Sequence, residues 1–149
     1  MKIKHSNKLS KRIKELQKLK SSRVTVGFPK GYNAYPDGTA VAMVASVHEF
    51  GSVVSNIPPR PFFRPTLIAN GNYKKLRIKY FTLIAKDKVS VKIGLNQLGI
   101  HVAEDIKDAI VAVSSPVLKE ATIKAKGGKT SPLVDSSHLV HSVTHKVDL

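Results

Sequence analysis

Leu9, Ile13, Leu16 and Leu19 recur at helical spacing among lysines and Arg12, which predicts an amphipathic, strongly basic helix over 6–20 within a basic N-terminal segment, 1–22. Arg23-Val24-Thr25-Val26-Gly27-Phe28 then alternates and is β-branched, so it reads as a strand that Pro29 ends. Tyr35-Pro36-Asp37-Gly38 has turn chemistry, with proline presetting φ and glycine accepting a positive one, and Thr39 follows as a helix cap. From Ala40 to Phe50 the chain is small and apolar almost all round, as in a buried helix, and Gly51 sits where a helix C-terminus wants glycine. After Thr66, the series Ala69, Tyr73, Leu76, Tyr80, Leu83 and Ile84 is helical. Leu76, Ile78 and Tyr80 also alternate as a strand would; the longer period favours helix, with Gly71 as its weak point. Leu95, Leu98, Val102, Ile106, Ile110 and Val113 give the clearest amphipathic helix, with Glu104, Asp105 and Asp108 on its outer face and Ser114-Ser115-Pro116 as its stop.

Beyond it, Lys119 to Ser131 is polar and carries Gly127-Gly128, so 117–132 is expected to be a mobile loop or a short element that orders on assembly. Asp135 is placed to cap a short helical turn through Leu139, and His141 to Val147 alternates as a closing strand able to pair with Val24 to Phe28. The expected fold is α+β in a single domain, 1–149: a small antiparallel or mixed sheet covered by two longer helices, with the basic N-terminal helix and an extended Pro-rich arm, 52–65. The chain shows no internal repeat and no heptad run.

The arm is the most distinctive segment. His48-Glu49-Phe50-Gly51 leads to Ile57-Pro58-Pro59-Arg60-Pro61-Phe62-Phe63-Arg64-Pro65, where four prolines stiffen the backbone and remove N–H donors. Phe50, Phe62 and Phe63 offer apolar surface, and Arg60 and Arg64 offer planar forks for carboxylates or phosphates; together these five are the candidate partner-binding residues. The plainer reading is a loop whose phenylalanines cap the protein's own core.

The same residues resemble the neck and tail-completion proteins of tailed bacteriophages, the phage virion morphogenesis family, which carry a His-Glu-Phe-Gly turn and then an Ile-Pro-x-Arg-Pro-Phe-x-Arg-Pro run. Val26-Gly27-Phe28-Pro29 and Tyr35-Pro36-Asp37-Gly38 upstream, and Ala121-Thr122-Ile123-Lys124 and Pro132-Leu133-Val134-Asp135 downstream, fall in the same order as in that family. Where the family usually reads Asp-Thr-Gly-x-Leu, this chain reads Asp135-Ser136-Ser137-His138-Leu139, with serine in place of a glycine suited to left-handed backbone. The resemblance implies a structural virion protein at the head-tail junction, assembled in the host cytoplasm. It implies a hexameric or dodecameric ring that joins phage connector or adaptor and tail proteins. On this expectation, removing Phe62 and Phe63 together gives folded monomers that fail to complete particles.

Charge adds a competing reading. The net charge of +15 is concentrated: residues 1–30 hold ten Lys/Arg against Glu15 alone, and residues 67–100 hold seven against Asp87 alone. Two basic patches attract anionic partners, which leaves a small cytoplasmic nucleic-acid-binding protein as the alternative, or proximity to DNA in a virion channel. The absence of cysteine excludes disulfides, thiol catalysis and cysteine-based zinc sites and suits a reducing compartment. No apolar run reaches the length of a membrane span, and no membrane partner is expected. His48-Glu49 fails the zinc-protease pattern because position 52 is Ser52; His138, His141 and His145 have spacings that could gather around a metal on a helix but would point to different faces on a strand. Gly94, Gly99 and Gly127-Gly128 match no phosphate or dinucleotide loop. No catalytic residue, metal or cofactor is therefore assigned, and the expected role is not enzymatic.

Overall fold

Strand β1 (Arg23–Gly27) pairs antiparallel with β2 (Thr144–Asp148), Val24 opposite Val147 and Val26 opposite His145. The computed structural model describes residues 3–29, 34–69, 72–134 and 137–149. Among these the fold is α+β, with seven helices and one two-stranded antiparallel sheet. Alternation along β1 turns Val24 and Val26 inward, and both strands lie against the long helix α5 (Val91–Ala112). Ser90 starts α5 as sequence chemistry favours, its hydroxyl accepting the Ile93 N–H at 3.3 Å.

Close approach of β2 to α5 depends on Gly99. A Cβ there would lie 2.5 Å from the His145 ring, so the glycine that matched no phosphate loop is a packing contact instead. His145 Nε2 and Asn96 Oδ1, 3.0 Å apart, complete this seam. The main core gathers Ile106 and Ile110 of α5 with Val41, Ala45, Phe62, Leu133, Leu139 and Val143, and a smaller cluster gathers Ile84, Val91 and Leu95 with Leu19, Val24 and Val147 against it.

The remaining helices are α1 (Ile3–Ser21), α2 (Val41–Phe50), α3 (Phe63–Ala69), α4 (Asn72–Ala85), α6 (Glu120–Ala125) and α7 (His138–His141). Helix α1 forms as expected, yet Leu9, Ile13 and Leu16 stay exposed; it is held by Leu19 in the smaller cluster and by Arg12, which meets Asp87 at 3.0 Å and donates to the Ile84 carbonyl. Helix α4 packs on α5, where Tyr80 Oη and His101 Nε2 are 2.9 Å apart, which resolves the helix-or-strand ambiguity of this stretch.

Five expectations need correction. The closing strand read from His141 begins only at Thr144, because His141 is the last residue of α7. The helix read from Thr66 onward is two helices, α3 and α4; Gly71 itself lies outside the described residues. Thr39 does not cap α2: the cap position is Ala40, and the Thr39 N–H is instead taken by Asp37 Oδ1 at 2.9 Å within the preceding turn. Part of the 117–132 loop folds as α6, and Lys126 beyond it donates to the carbonyls of Ser131 at 2.9 Å and Val134 at 3.1 Å. The Pro-rich arm is folded back on its own chain rather than extended away from it. The proposed cap at Asp135 lies outside the described residues, but the next position but one, Ser137, has the left-handed backbone with φ 60° despite carrying a side chain.

Candidate functional site

Helix α2 buries Val41, Ala45 and Glu49 along one stripe and turns Met43, Ser46 and Phe50 outward. Gly51 ends it with φ 78°, its N–H donating to the Val47 carbonyl at 2.8 Å. No other residue fits there, since a Cβ would sit 2.9 Å from Pro59 N and 3.0 Å from the Ile57 oxygen. The chain then makes a tight hairpin in which Ser52 and Ile57 exchange both backbone bonds, 2.8 and 2.9 Å, and Arg60 N–H returns to the His48 carbonyl at 2.7 Å.

Glu49 completes the reversal. Its Oε2 accepts the N–H of Phe62 at 2.8 Å and of Phe63 at 2.9 Å, and its Oε1 accepts the N–H of Arg64 and Arg64 Nε, both at 3.0 Å. These are the first free N–H groups of α3, so a carboxylate from another helix does the work of an N-terminal cap. Pro65 fits the first turn of α3, where its missing N–H is not needed. Burial pushes the Glu49 carboxyl upward, but the N–H groups of Phe63 and Arg64, the Arg64 side chain and the Phe62 N–H outweigh it and hold the carboxyl below its ordinary range.

This clasp sorts the five candidate residues into two groups. Phe62 is only 2% exposed, wedged edge-on between Phe28 (ring centroids 6.3 Å apart) and Phe63 (6.4 Å). Arg60 is 5% exposed, with Nε donating to the Pro116 carbonyl at 2.8 Å and Nη2 to the Val117 carbonyl at 3.4 Å. Neither is a free surface group, which corrects their assignment as contacts on a projecting arm. Burial of a phenylalanine side chain stabilises the folded-back arm by about 1.5–3 kcal/mol. Phe63 is half-buried against the same core. Phe50 and Arg64 remain at the surface and touch, the guanidinium carbon 4.5 Å from the ring centroid with Phe50 62% exposed.

Sequence reasoning passed over Val53 and Val54, which stand at the hairpin tip 99% and 100% exposed, and Met43, on the outer face of α2. Two adjacent valines in a tight turn with no apolar partner in reach were the available signal. It also missed the clasping role of Glu49. The three histidines of the C-terminal segment are not brought together: the His138 ring lies tilted against Tyr35, centroids 4.7 Å apart, His145 faces Asn96, and His141 is exposed. Among the described residues no group of three metal-ligating side chains occurs and no helix is long and apolar enough to cross a membrane. The basic patches form two exposed rows, Lys11, Lys14, Lys18 and Lys20 on α1 and Lys74, Lys75, Arg77 and Lys79 on α4.

No protein-family model, curated protein or solved structure matches this chain.

Proposed function

We propose that the protein is a structural virion component of a tailed phage, a neck or tail-completion subunit that assembles with copies of itself into a ring and joins connector and tail proteins. The observation that carries this reading is the apolar surface left outside the clasp: Phe50 at the end of α2, and Val53 and Val54 at the tip of the Ser52–Ile57 hairpin that follows it, are all exposed. Large apolar groups on an ordered scaffold suit a partner surface, because little conformational entropy is lost when they are covered. The resemblance of the motifs in order from Val26 to Val143 to the phage family supplies the kind of partner. Arg64, poised over Phe50, adds a fork for an acidic group of the neighbour. The exposed Leu9, Ile13 and Leu16 stripe on basic α1 is a second surface that an acidic partner would cover.

Mass photometry of the purified protein at low and high salt, with and without DNA, tests the proposal. A salt-resistant ring indifferent to DNA supports it, and the triple substitution Phe50→Ser, Val53→Ser, Val54→Ser should then give folded monomers. A ring unchanged by that substitution would remove the hairpin from the interface. The exposed cationic row on α4 favours a second reading, nucleic-acid binding; a monomer that shifts only with DNA and only at low salt selects it, because phosphate-driven binding weakens steeply with salt.

A further inference from the structure

Arg60 raises a question that the clasp does not answer: its guanidinium is buried, yet the groups that hold it are neutral carbonyls and no carboxylate pairs with it among the described residues. A buried charge is costly unless an opposite charge completes it. Arg60 lies on the wall of a cavity of about 650 Å³ between α2, the Ile57–Arg60 return, the 117–126 segment, Pro132, Leu133 and α7. Among the described residues two further cations, Lys119 and Lys126, line it, against one carboxylate, Asp37, which is exposed and already accepts the Thr39 N–H. His48 Nδ1 and His138 Nε2 are buried in residues that line the same cavity, and neither has a hydrogen-bond partner among the described residues. Buried polar atoms are nearly always paired, so two orphan ring nitrogens beside an unbalanced buried cation describe a polar recognition point without its ligand. The other walls are apolar, with Val44, Ile57, Leu133 and Leu139.

We propose that this cavity is a binding site for an oxyanion, a carboxylate or phosphate, carried on a small apolar body. Its volume is in the range of small-ligand pockets, which are apolar with a few convergent polar groups. The anion supplies the charge that Arg60 lacks and accepts from the imidazole N–H groups of His48 and His138, while the apolar body lies against the aliphatic wall. Burial first, then the charges of Arg60 and Lys126, hold the His48 imidazolium below its ordinary pKa; a bound anion opposes the two charges and raises it. The site shares the Ser52–Ile57 hairpin with the proposed interface through Ser55, Asn56 and Ile57, but Phe50, Val53 and Val54 do not line it.

The test is imidazole-detected NMR of the full-length protein, titrated at constant ionic strength with benzoate, phenyl phosphate and inorganic phosphate, with sodium chloride as control. Saturable shifts of the His48 and His138 signals are expected, together with an upward move of the His48 titration. Phenyl phosphate or benzoate should bind more tightly than inorganic phosphate, and which of the two saturates first separates phosphate from carboxylate preference. Lys119→Met, which removes an exposed lining cation and leaves the Lys126 bonds to the Ser131 and Val134 carbonyls in place, should weaken the better probe severalfold. The proposal is overturned if neither organic anion saturates by roughly 10 mM, if chloride reproduces the shifts, or if His141 and His145 respond as strongly as the cavity histidines. It is also overturned if Lys119→Met and Lys126→Met both fold and bind as the parent does.

Discussion

Glu49→Ala removes one carboxylate and leaves four donors without an acceptor: the N–H groups of Phe62, Phe63 and Arg64, and Arg64 Nε. Hydrogen bonds to a charged group contribute about 1.5–3 kcal/mol each when removed singly, but these share one acceptor and do not add. Arg64 can turn to water because its side chain is largely exposed, whereas the carboxylate, at 6% exposure, is not replaced easily by solvent. The expected loss is therefore close to that of breaking one buried pair, about 3–5 kcal/mol. For a domain of this size that lowers Tm by roughly 6–20 °C. Glu49→Gln keeps one oxygen for the Phe62 and Phe63 N–H groups but presents an amide donor to Arg64, and should cost about 2 kcal/mol. Urea unfolding gives the stabilities, and amide exchange at Phe62 to Arg64 locates the effect. The pH dependence is a second signature. Because the folded carboxyl is held below its unfolded value, its contribution is complete above the ordinary glutamate range and is lost as pH falls through the lower folded value. The difference between parent and Glu49→Gln should thus be full at neutral pH and shrink in acid. A Glu49→Ala loss under about 1 kcal/mol, or a parent-minus-Gln difference that does not change with acid, would refute the clasp.

Phe62→Ala should destabilise the monomer by about 3–5 kcal/mol, measured by urea titration, rather than yield a folded subunit that fails only in assembly. Gly51→Ala should cost roughly 2–4 kcal/mol, since it combines left-handed backbone with a Cβ pressed against Pro59 and Ile57; a calorimetric change near zero would contradict the geometry. Ser137→Gly should stabilise by up to about 1 kcal/mol by relieving the left-handed φ, partly offset by glycine's greater freedom when unfolded; a fall in Tm would show that the serine side chain contributes more than its strain costs.

Periodic, local features of the fold were legible in the sequence. The period of α5 needed only its own residues, and the pairing of β1 with β2 followed from two alternating segments with no other strand to choose. The direction of the Pro-rich segment was not legible, because it is decided by bonds between Glu49 and residues 13 to 15 positions later. Proline stiffness is the same whether such a segment projects or returns. Nor does composition distinguish Phe62 from Phe63; the register of α3 does, and that register is set by the carboxylate. The site suffered most from this: Arg60 has the side chain of a surface fork, and only its contacts with the Pro116 and Val117 carbonyls reveal that it faces inward.

The clasp changes what the family resemblance can carry. Glu49, Gly51, Arg60 and Phe62, the residues that make the motif recognisable, are occupied in closing the chain on itself through a carboxylate cap, a glycine-only turn, a buried fork and a core aromatic. Any protein that needed this reversal would face the same physical demands at those positions, whatever it bound. The functional part of the likeness therefore rests on the positions with no task in the fold. Phe50 is one, exposed with Arg64 stacked beside it; the Val53-Val54 tip that the clasp holds out lies between the two matched runs and is exposed apolar surface outside the likeness. Substitutions in the clasp report on stability; only substitutions at the tip and at Phe50 report on partners. A variant series that mixes the two would read loss of folding as loss of assembly, and would make even a wrong functional reading look supported.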